Sequence, residues 1–288
     1  MSEPLFSVIV PTFQRNDLLA GCLEKLAPGV QKMTPDQYEV IVTDDGRAST
    51  AQEMVSSRFP WARWVQGPAR GPAANRNTGV KFACGRWLAF TDDDCLPDPD
   101  WLTGFRDAIA TNPAFSVFEG TIYAERPRRS LAEIAPVNEK GGYLWASNFA
   151  IAAGLFREIG GFDERFRAAM EDVDLRQRLE CAGRHALFLP SARVCHPWRL
   201  RTARKDGWKN LGSYATDTVR YLDIHPEEAA RLNALYFCRS AVRAFCLETL
   251  PGAFRFKGRG IREALIQHAE ELRLAFVVFR RERRRARC

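Results

Sequence analysis

Residues 6–10, Phe-Ser-Val-Ile-Val, form a nearly continuous β-branched run that predicts a strand. After it, Leu19, Cys22, Leu23 and Leu26 recur at helical spacing, with Asn16 placed to cap the helix and Pro28-Gly29 placed to end it. A second apolar run at 39–43 stops at Asp44-Asp45-Gly46, and Ser49 is placed to cap the next helix. A weaker strand at 63–65, a loop at 67–72, a helix over about 74–84 ended by Gly85, and a buried strand at 87–90 complete the first third. Strands alternating with helices imply right-handed βαβ units and a mostly parallel sheet.

Further along, 115–123 predicts another strand, and 126–136 a loop rich in Pro and Arg. Residues 141–156 mix aromatic and small side chains. A short helix follows over 170–182, with Leu175, Leu179 and Ala182 on one face and Gly183 as its stop, and two short strands are expected at 186–190 and 192–196. From Lys209 the pattern turns helical, and Leu265, Ala269, Leu272, Phe276 and Phe279 alternate steps of four and three on an amphipathic last helix. There is no internal repeat and no low-complexity linker. The expectation is one α/β domain over 1–210 with a helical extension over 211–288.

Composition narrows the function. With 46% hydrophobic and 27% charged residues, the chain has ordinary globular proportions. The longest uncharged apolar run, 149–156, is far short of the ~20 residues of a transmembrane helix. Residues 1–6 lack the basic cluster and apolar core of a secretory signal, so a cytoplasmic protein is expected. The eight cysteines never occur as C-x-x-C, which suggests reduced thiols rather than a zinc site or disulfide framework. The net charge of +7 comes from two tracts, 191–210 and 280–288, each carrying six Lys/Arg against one acidic residue, and the rest of the chain sums to −3. A nucleic-acid-binding role would rest on those tracts alone, and no nucleic-acid partner is expected.

Pro11-Thr12, Asp44-Asp45 and Asp92-Asp93-Asp94 each fall at the carboxyl end of a predicted strand, the edge where open α/β sheets bind ligands. Any one cluster is explained by turns or helix caps. Three in succession imply one crevice. Three adjacent carboxylates repel, and a divalent cation such as Mg2+ or Mn2+ is an economical compensation.

Six stretches carry a resemblance: Ser7-Val8-Ile9-Val10-Pro11-Thr12-Phe13, Val40-Ile41-Val42-Thr43-Asp44-Asp45-Gly46, Arg76-Asn77-Thr78-Gly79, Phe90-Thr91-Asp92-Asp93-Asp94, Gly160-Gly161-Phe162-Asp163-Glu164 and Glu171-Asp172. In that order and spacing, from about residue 4 to 196, the chain resembles the family 2 glycosyltransferases of the GT-A fold. The resemblance implies a GT-A-type α/β fold, a mostly parallel central sheet flanked by helices, and a nucleotide-sugar donor, most simply a UDP-sugar. It further implies Mn2+ or Mg2+ as cofactor and hexosyl or N-acetylhexosaminyl transfer with inversion, as in polysaccharide biosynthesis.

Carried over by residue, the resemblance implies nucleotide or donor contacts for Pro11, Thr12, Arg15, Asp44, Asp45, Arg76, Asp92 and Asp93, with Arg76 approaching the diphosphate. Asp92 and Asp94 match the outer members of a D-x-D metal motif, and His196 is a third candidate ligand. Asn77 fits a structural hydrogen-bonder. Glu171-Asp172 resembles the pair that supplies the catalytic base, Asp172 being preferred. Acidic residues there also suit a helix N-terminus. Trp145, Asn148 and Gly161 fall where the family binds its acceptor, a glycan or lipid-linked saccharide.

Arg199, Arg201, Arg204, Lys205 and Lys209 suit either a loop closing over donor phosphates or a solvated charged loop. The last helix, running from Leu274 through Phe279 into an Arg-rich tail, suits peripheral contact with an anionic membrane. The competing expectation is that Leu272, Phe276 and Phe279 pack on the domain and the Arg run is a frayed tail. A sugar-phosphate nucleotidyltransferase would share the sheet, the nucleotide and Mg2+, but it needs a glycine-rich loop after the first strand, where this chain has Pro11-Thr12-Phe13-Gln14-Arg15. A non-enzymatic nucleic-acid binder leaves the carboxylate clusters unexplained.

Overall fold

A computed structural model describes residues 3–48, 50–201 and 208–285, so the expected cap Ser49, and Arg204 and Lys205 of the basic tract, lie outside the described residues. The chain divides into two compact units, the first made of 1–125, 136–167 and 171–197. In chain order it contains β1 (Phe6–Thr12), α1 (Asn16–Leu26), β2 (Tyr38–Asp44), α2 (Gln52–Arg58), β3 (Ala62–Gln66), α3 (Pro72–Val80), β4 (Trp87–Phe90), β5 (Leu96–Pro97), α4 (Trp101–Thr111) and β6 (Val117–Tyr123). After β7 (Glu133–Ile134), which belongs to the second unit, come β8 (Phe149–Ala152), α5 (Ala153–Glu158), α6 (Glu171–Cys181) and β9 (Leu187–Cys195).

The eight strands of the first unit form one sheet in the order β3-β2-β1-β4-β8-β6-β9-β5. β3, β2, β1 and β4 are mutually parallel, with Thr12 opposite Asp44 and Ile9 opposite Phe90. β8 runs antiparallel to both β4 and β6, β9 is parallel to β6, and β5 is antiparallel to β9. The sheet is therefore mixed, parallel through its first four strands. Period-2 patterning reports which face a side chain takes and is blind to strand direction, and the antiparallel β8 is reached by the long excursion that follows β6.

The nearly continuous apolar run of β1 has a simple cause: both sheet faces are covered. Phe6, Val8 and Val10 join one core cluster with Leu19, Leu23 and Leu26 of α1 and Trp101 and Phe105 of α4. Ile9 points the other way, into a second cluster with Phe90, Phe149, Phe156, Phe162, Leu175 and Leu179. Each fully buried large side chain contributes ~1.5–3 kcal/mol. Phe90 stacks on Phe149 at 4.7 Å and meets Phe162 edge-on at 5.3 Å, which anchors the end of β4 immediately before Thr91 and Asp92.

Some local expectations change. Asn16 is the first helical residue and gives its amide to the Thr50 carbonyl (3.3 Å), so it caps nothing. α3 begins at Pro72 and stops at Val80. α4 was not anticipated, since Pro97, Pro99 and Gly104 obscured the helical spacing of Trp101, Leu102, Phe105 and Ala108 that it buries. The two short strands expected at 186–190 and 192–196 are one strand, β9, with an irregularity that carries Pro190 out of the ladder.

The second unit gathers 126–135, 168–170 and the chain from 198 onward. β7 pairs antiparallel with β10 (Arg199–Leu200). Helices α7 (Trp208–Ile224), α8 (Ala234–Ala244), α9 (Leu250–Arg255) and α10 (Ile261–Arg285) follow, with a π-helical turn at Phe245–Thr249. Asp217 accepts from the amides of Ala168 (2.8 Å) and Ala169 (3.2 Å). Leu131 donates its amide to Arg259 (3.0 Å). Arg201 donates its amide to Ala132 (2.8 Å) and pairs with Glu270 (3.2 Å). Among the described residues no helix is long and apolar enough to cross a membrane.

Candidate functional site

Because β1, β2 and β4 are parallel, their carboxyl ends open on one edge, and the polar clusters meet there. Beyond β4 the chain turns tightly, Cys95 donating its amide to Asp92 O (3.1 Å), and this turn carries Asp92, Asp93 and Asp94. The three carboxylates divide between two arginines. Asp93, fully buried, accepts from Thr12 Oγ1 (2.7 Å) and pairs with Arg15 (2.6 Å). Asp94 takes the other arm of Arg15 at 3.0 Å and faces His196 Nε2 at 3.4 Å. Asp92, the most exposed of them, pairs with Arg76 at 2.6 Å. The repulsion that suggested a cation is thus already offset by two arginines. Burial nevertheless pushes the Asp93 carboxyl up to about 7, against the pull of Arg15 and Thr12.

Arg76 lies beside the acidic turn. Its guanidinium is buried between Asp92 and Glu171 (2.8 Å), over the ring of Phe162, and its Nε has no hydrogen-bond partner. Burial works against the charge, but Asp92 and Glu171 outweigh it and hold the guanidinium's pKa above its ordinary value. Arg76 is a clamp that fixes the acidic turn of β4 to the start of α6.

The acidic residues opening α6 divide their work similarly. Glu171 binds Arg76, and Asp174 binds Arg178 (2.8 Å), which also holds the carbonyls of Ile159 and Gly161 (both 2.7 Å). Asp172 is left between these pairs, half-buried, its Oδ1 accepting from the Val173 amide at 2.8 Å. Burial first, and the charge of Glu171 second, push its carboxyl up to about 7, with Arg76 and the amides of Val173 and Ala146 pulling down. A carboxyl that titrates near neutrality is suited to proton transfer.

Asp44 and Asp45 organise loops. Asp44 accepts from the amides of Gly46 (2.8 Å) and Ala51 (2.6 Å) and from Trp64 Nε1 (3.3 Å), and Asp45 from the amides of Ala69 (2.9 Å) and Gly71 (3.0 Å). For either to accept from a nucleoside, it must share an oxygen that a loop amide or indole already holds. Gly71, at φ +93°, closes this loop, and a Cβ there would run into the Arg167 carbonyl. Asn75, unmarked by the sequence analysis, bridges the carbonyls of Thr12 (3.3 Å) and Thr43 (2.9 Å) and so ties β1 to β2 beneath Pro11.

Donor chemistry at the acidic turn fits a divalent cation. Asp94, Cys95 and His196 bring one ligand atom each to within 4.8 Å of one another, all three buried. Burial, with the charges of Asp92 and Asp94, pushes the Cys95 thiol well up. That leaves a carboxylate oxygen and an imidazole nitrogen, a pair suited to Mn2+ or Mg2+ with further oxygen ligands.

The acceptor assignments separate. Asn148 is fully buried, giving its amide to the carbonyls of Thr121 (2.8 Å) and Ala192 (2.9 Å) and accepting from Trp101 Nε1 (2.8 Å). It is an internal brace and cannot touch an acceptor. Gly161 forms a buried turn at φ +68°, packed on Asn77, which holds both the amide (3.0 Å) and the carbonyl (2.8 Å) of Phe162. Trp145 is partly buried and stacks on Tyr143 at 4.6 Å, and Tyr143 is half exposed. Tyr143 went unnoticed in the sequence, although its i, i+2 spacing from Trp145 was visible. Glu119 on β6 holds this pair in place, accepting from Asn138 Nδ2 (2.6 Å) and the amides of Gly142 (2.7 Å), Tyr143 (3.0 Å) and Leu144 (2.7 Å).

A family model described as "Glycosyl transferase family 2" matches residues 7–157. Among curated proteins, the validoxylamine A glucosyltransferase of Streptomyces hygroscopicus subsp. limoneus is 27% identical over 266 residues, covering 77% of this chain and 57% of that protein. This chain therefore spans little more than half of that relative's length. The N-acetylglucosaminyl-diphospho-decaprenol L-rhamnosyltransferase of Mycobacterium tuberculosis is 25% identical over 244 residues, covering 69% of this chain and 79% of the relative. Among solved structures, the mannosyltransferase PcManGT from Pyrobaculum calidifontis, in complex with GDP-Man and Mn2+, aligns at a TM-score of 0.55 and 21% identity over 97% of this chain and 86% of that one. At that identity the likeness is one of fold.

Proposed function

Since the matched model covers more than half of its residues, the chain belongs to glycosyl transferase family 2, and we propose that it transfers a sugar from a nucleoside-diphosphate donor to an acceptor hydroxyl with inversion at the anomeric carbon. The observation that carries this is the junction built by Arg76, which holds Asp92 of the acidic turn and Glu171 beside Asp172. The junction supports this reading because it ties the acidic turn proposed for the donor side to the start of α6, where the proposed base Asp172 sits.

In this mechanism Asp172 accepts the proton of the acceptor hydroxyl, whose oxygen attacks the anomeric carbon. The bond from that carbon to the diphosphate oxygen breaks, and the nucleoside diphosphate leaves with the electron pair. Asp94 and His196 would hold Mn2+ or Mg2+, which supplies charge stabilisation to the leaving diphosphate. Thr12, Arg15 and Asp93 keep the acidic turn in place, and the loops braced by Asp44 and Asp45 flank the nucleoside. Trp145 and Tyr143 offer stacked aromatic faces that suit the C–H surface of a sugar ring. A UDP-sugar is the proposed donor, and a hydroxyl of a glycan or lipid-linked saccharide the acceptor.

The test is a panel of UDP-, GDP- and dTDP-sugars with Mn2+. A bound donor raises the melting temperature, and turnover releases free nucleoside diphosphate. A chain that binds and cleaves none of them, with or without acceptor saccharides, is not the proposed enzyme.

A further inference from the structure

The apolar stripe of α10 faces solvent. Ile261, Leu265, Leu272, Phe276 and Phe279, spaced by 4, 7, 4 and 3 residues, share one side of the helix, and all five are exposed, Phe276 at 58%. The face that packs is another one, made by Ala264, Leu274, Ala275, Val278 and Arg281. The expectation that Leu272, Phe276 and Phe279 pack on the domain therefore fails. So does the frayed tail as far as Arg285, since α10 stays helical to that residue and Arg281 is buried against Asp223 at 2.7 Å.

The neighbouring helices also carry exposed apolar residues. α8 lies antiparallel to α10, with Ala234 N donating to Glu282 (3.0 Å) at one end and Thr249 bonded to His268 (2.8 Å) at the other, and Leu235 and Val242 on α8 are exposed. Phe254 on α9 is 85% exposed. Scattered exposed apolar residues are ordinary, but an ordered stripe of them marks a binding face.

Charge selects the occupant. Residues 234–285 carry twelve Lys/Arg against five Asp/Glu, a formal +7 that equals the net charge of the whole chain. Cations border the stripe itself: Arg280 lies over the Phe276 ring at 6.0 Å and Arg283 over the Phe279 ring at 5.6 Å. A second copy of this face would oppose like charge to like. We propose that residues 234–285 dock on an anionic phospholipid bilayer, with α10 lying in the interface, Phe276 and Phe279 at the acyl boundary and the bordering arginines at lipid phosphates. Docking goes beyond the transfer reaction and is read without donor or acceptor.

Sedimentation of the full chain with phosphatidylcholine vesicles, with and without phosphatidylglycerol, tests this. Binding at least ~10-fold tighter to the anionic vesicles is expected, weakening as salt rises. The Phe276→Ser/Phe279→Ser double variant should lose at least ~10-fold in binding and keep its melting temperature, because both rings are exposed in the native fold. Arg280→Ser/Arg283→Ser should reduce the preference for phosphatidylglycerol. A full chain that stays in the supernatant at low salt overturns the proposal. So does a Phe double variant that binds as the parent does, which would leave charge alone as the cause, and so does a concentration-dependent dimer abolished by that variant, which would make a second copy the occupant.

Discussion

Asp172 and Asp94 are both carboxylates at element ends, and their surroundings give them opposite chemistry. Asp172 is pushed up to about 7, by burial and then by Glu171. A base acts only when deprotonated, so transfer should climb as pH rises through about 7 and fall away below it. Asp172→Asn should lower kcat roughly 10²-fold or more, remove that acid limb, and leave donor affinity near the parent's. Rates measured across the limb, with donor titrations beside them, check this. Equal losses in donor affinity and rate would move the base to Glu171. Asp94, facing His196 and Arg15, is the proposed ligand of the cation. Asp94→Ala should abolish Mn2+-dependent transfer with the fold kept, because Arg15 retains Asp93. Turnover unchanged in that variant, or undiminished in EDTA, removes the metal from the mechanism. At this scale the sequence identified which residues gather but not their partners: Asn148 was taken for a ligand contact and is sealed by three internal bonds, while Glu119, inside a strand-like run, had no local signal at all.

Elements were more legible than partners. The strands at 87–90 and 6–10 are legible because both sheet faces are buried there, so their apolar runs are continuous or nearly so. α4 was missed because Pro and Gly mask helical spacing that only packing confirms. Loops hang on single residues, and two substitutions test that. Glu119→Gln keeps the size of the side chain but points amide hydrogens at backbone donors of the 142–144 loop. It should cost about 2–4 kcal/mol in urea unfolding and raise the KM for acceptor more than it lowers kcat, through the Tyr143–Trp145 pair. Unchanged acceptor KM in a folded variant would separate that pair from the acceptor. Gly71→Ala forces a side chain into a left-handed conformation against the Arg167 carbonyl. A loss of ~1–3 kcal/mol with weakened donor binding is expected, measured by unfolding and by donor-induced thermal shift.

At the scale of the whole molecule, charge and topology were legible to different degrees. The basic tracts could be counted directly, and the parallel half of the sheet followed from strand–helix alternation. The antiparallel β8 could not be read, because nothing local to 149–152 records direction. Nor could the way the two units share the chain. The second unit takes 126–135 out of the middle of the first and completes it only with residues beyond 198. Leu131 waits for the carbonyl of Arg259, and the Ala132 amide lies so close to Gly260 that no Cβ fits there. During synthesis at ~5–20 residues per second, roughly 125 residues separate 135 from those partners, a delay on the order of 10 s. Over that interval the nascent chain carries Leu131 without its partner, and for about the first half of it, until β10 emerges, the β7 edge is unpaired as well, so this stretch is where a chaperone on the ribosome would find its hold.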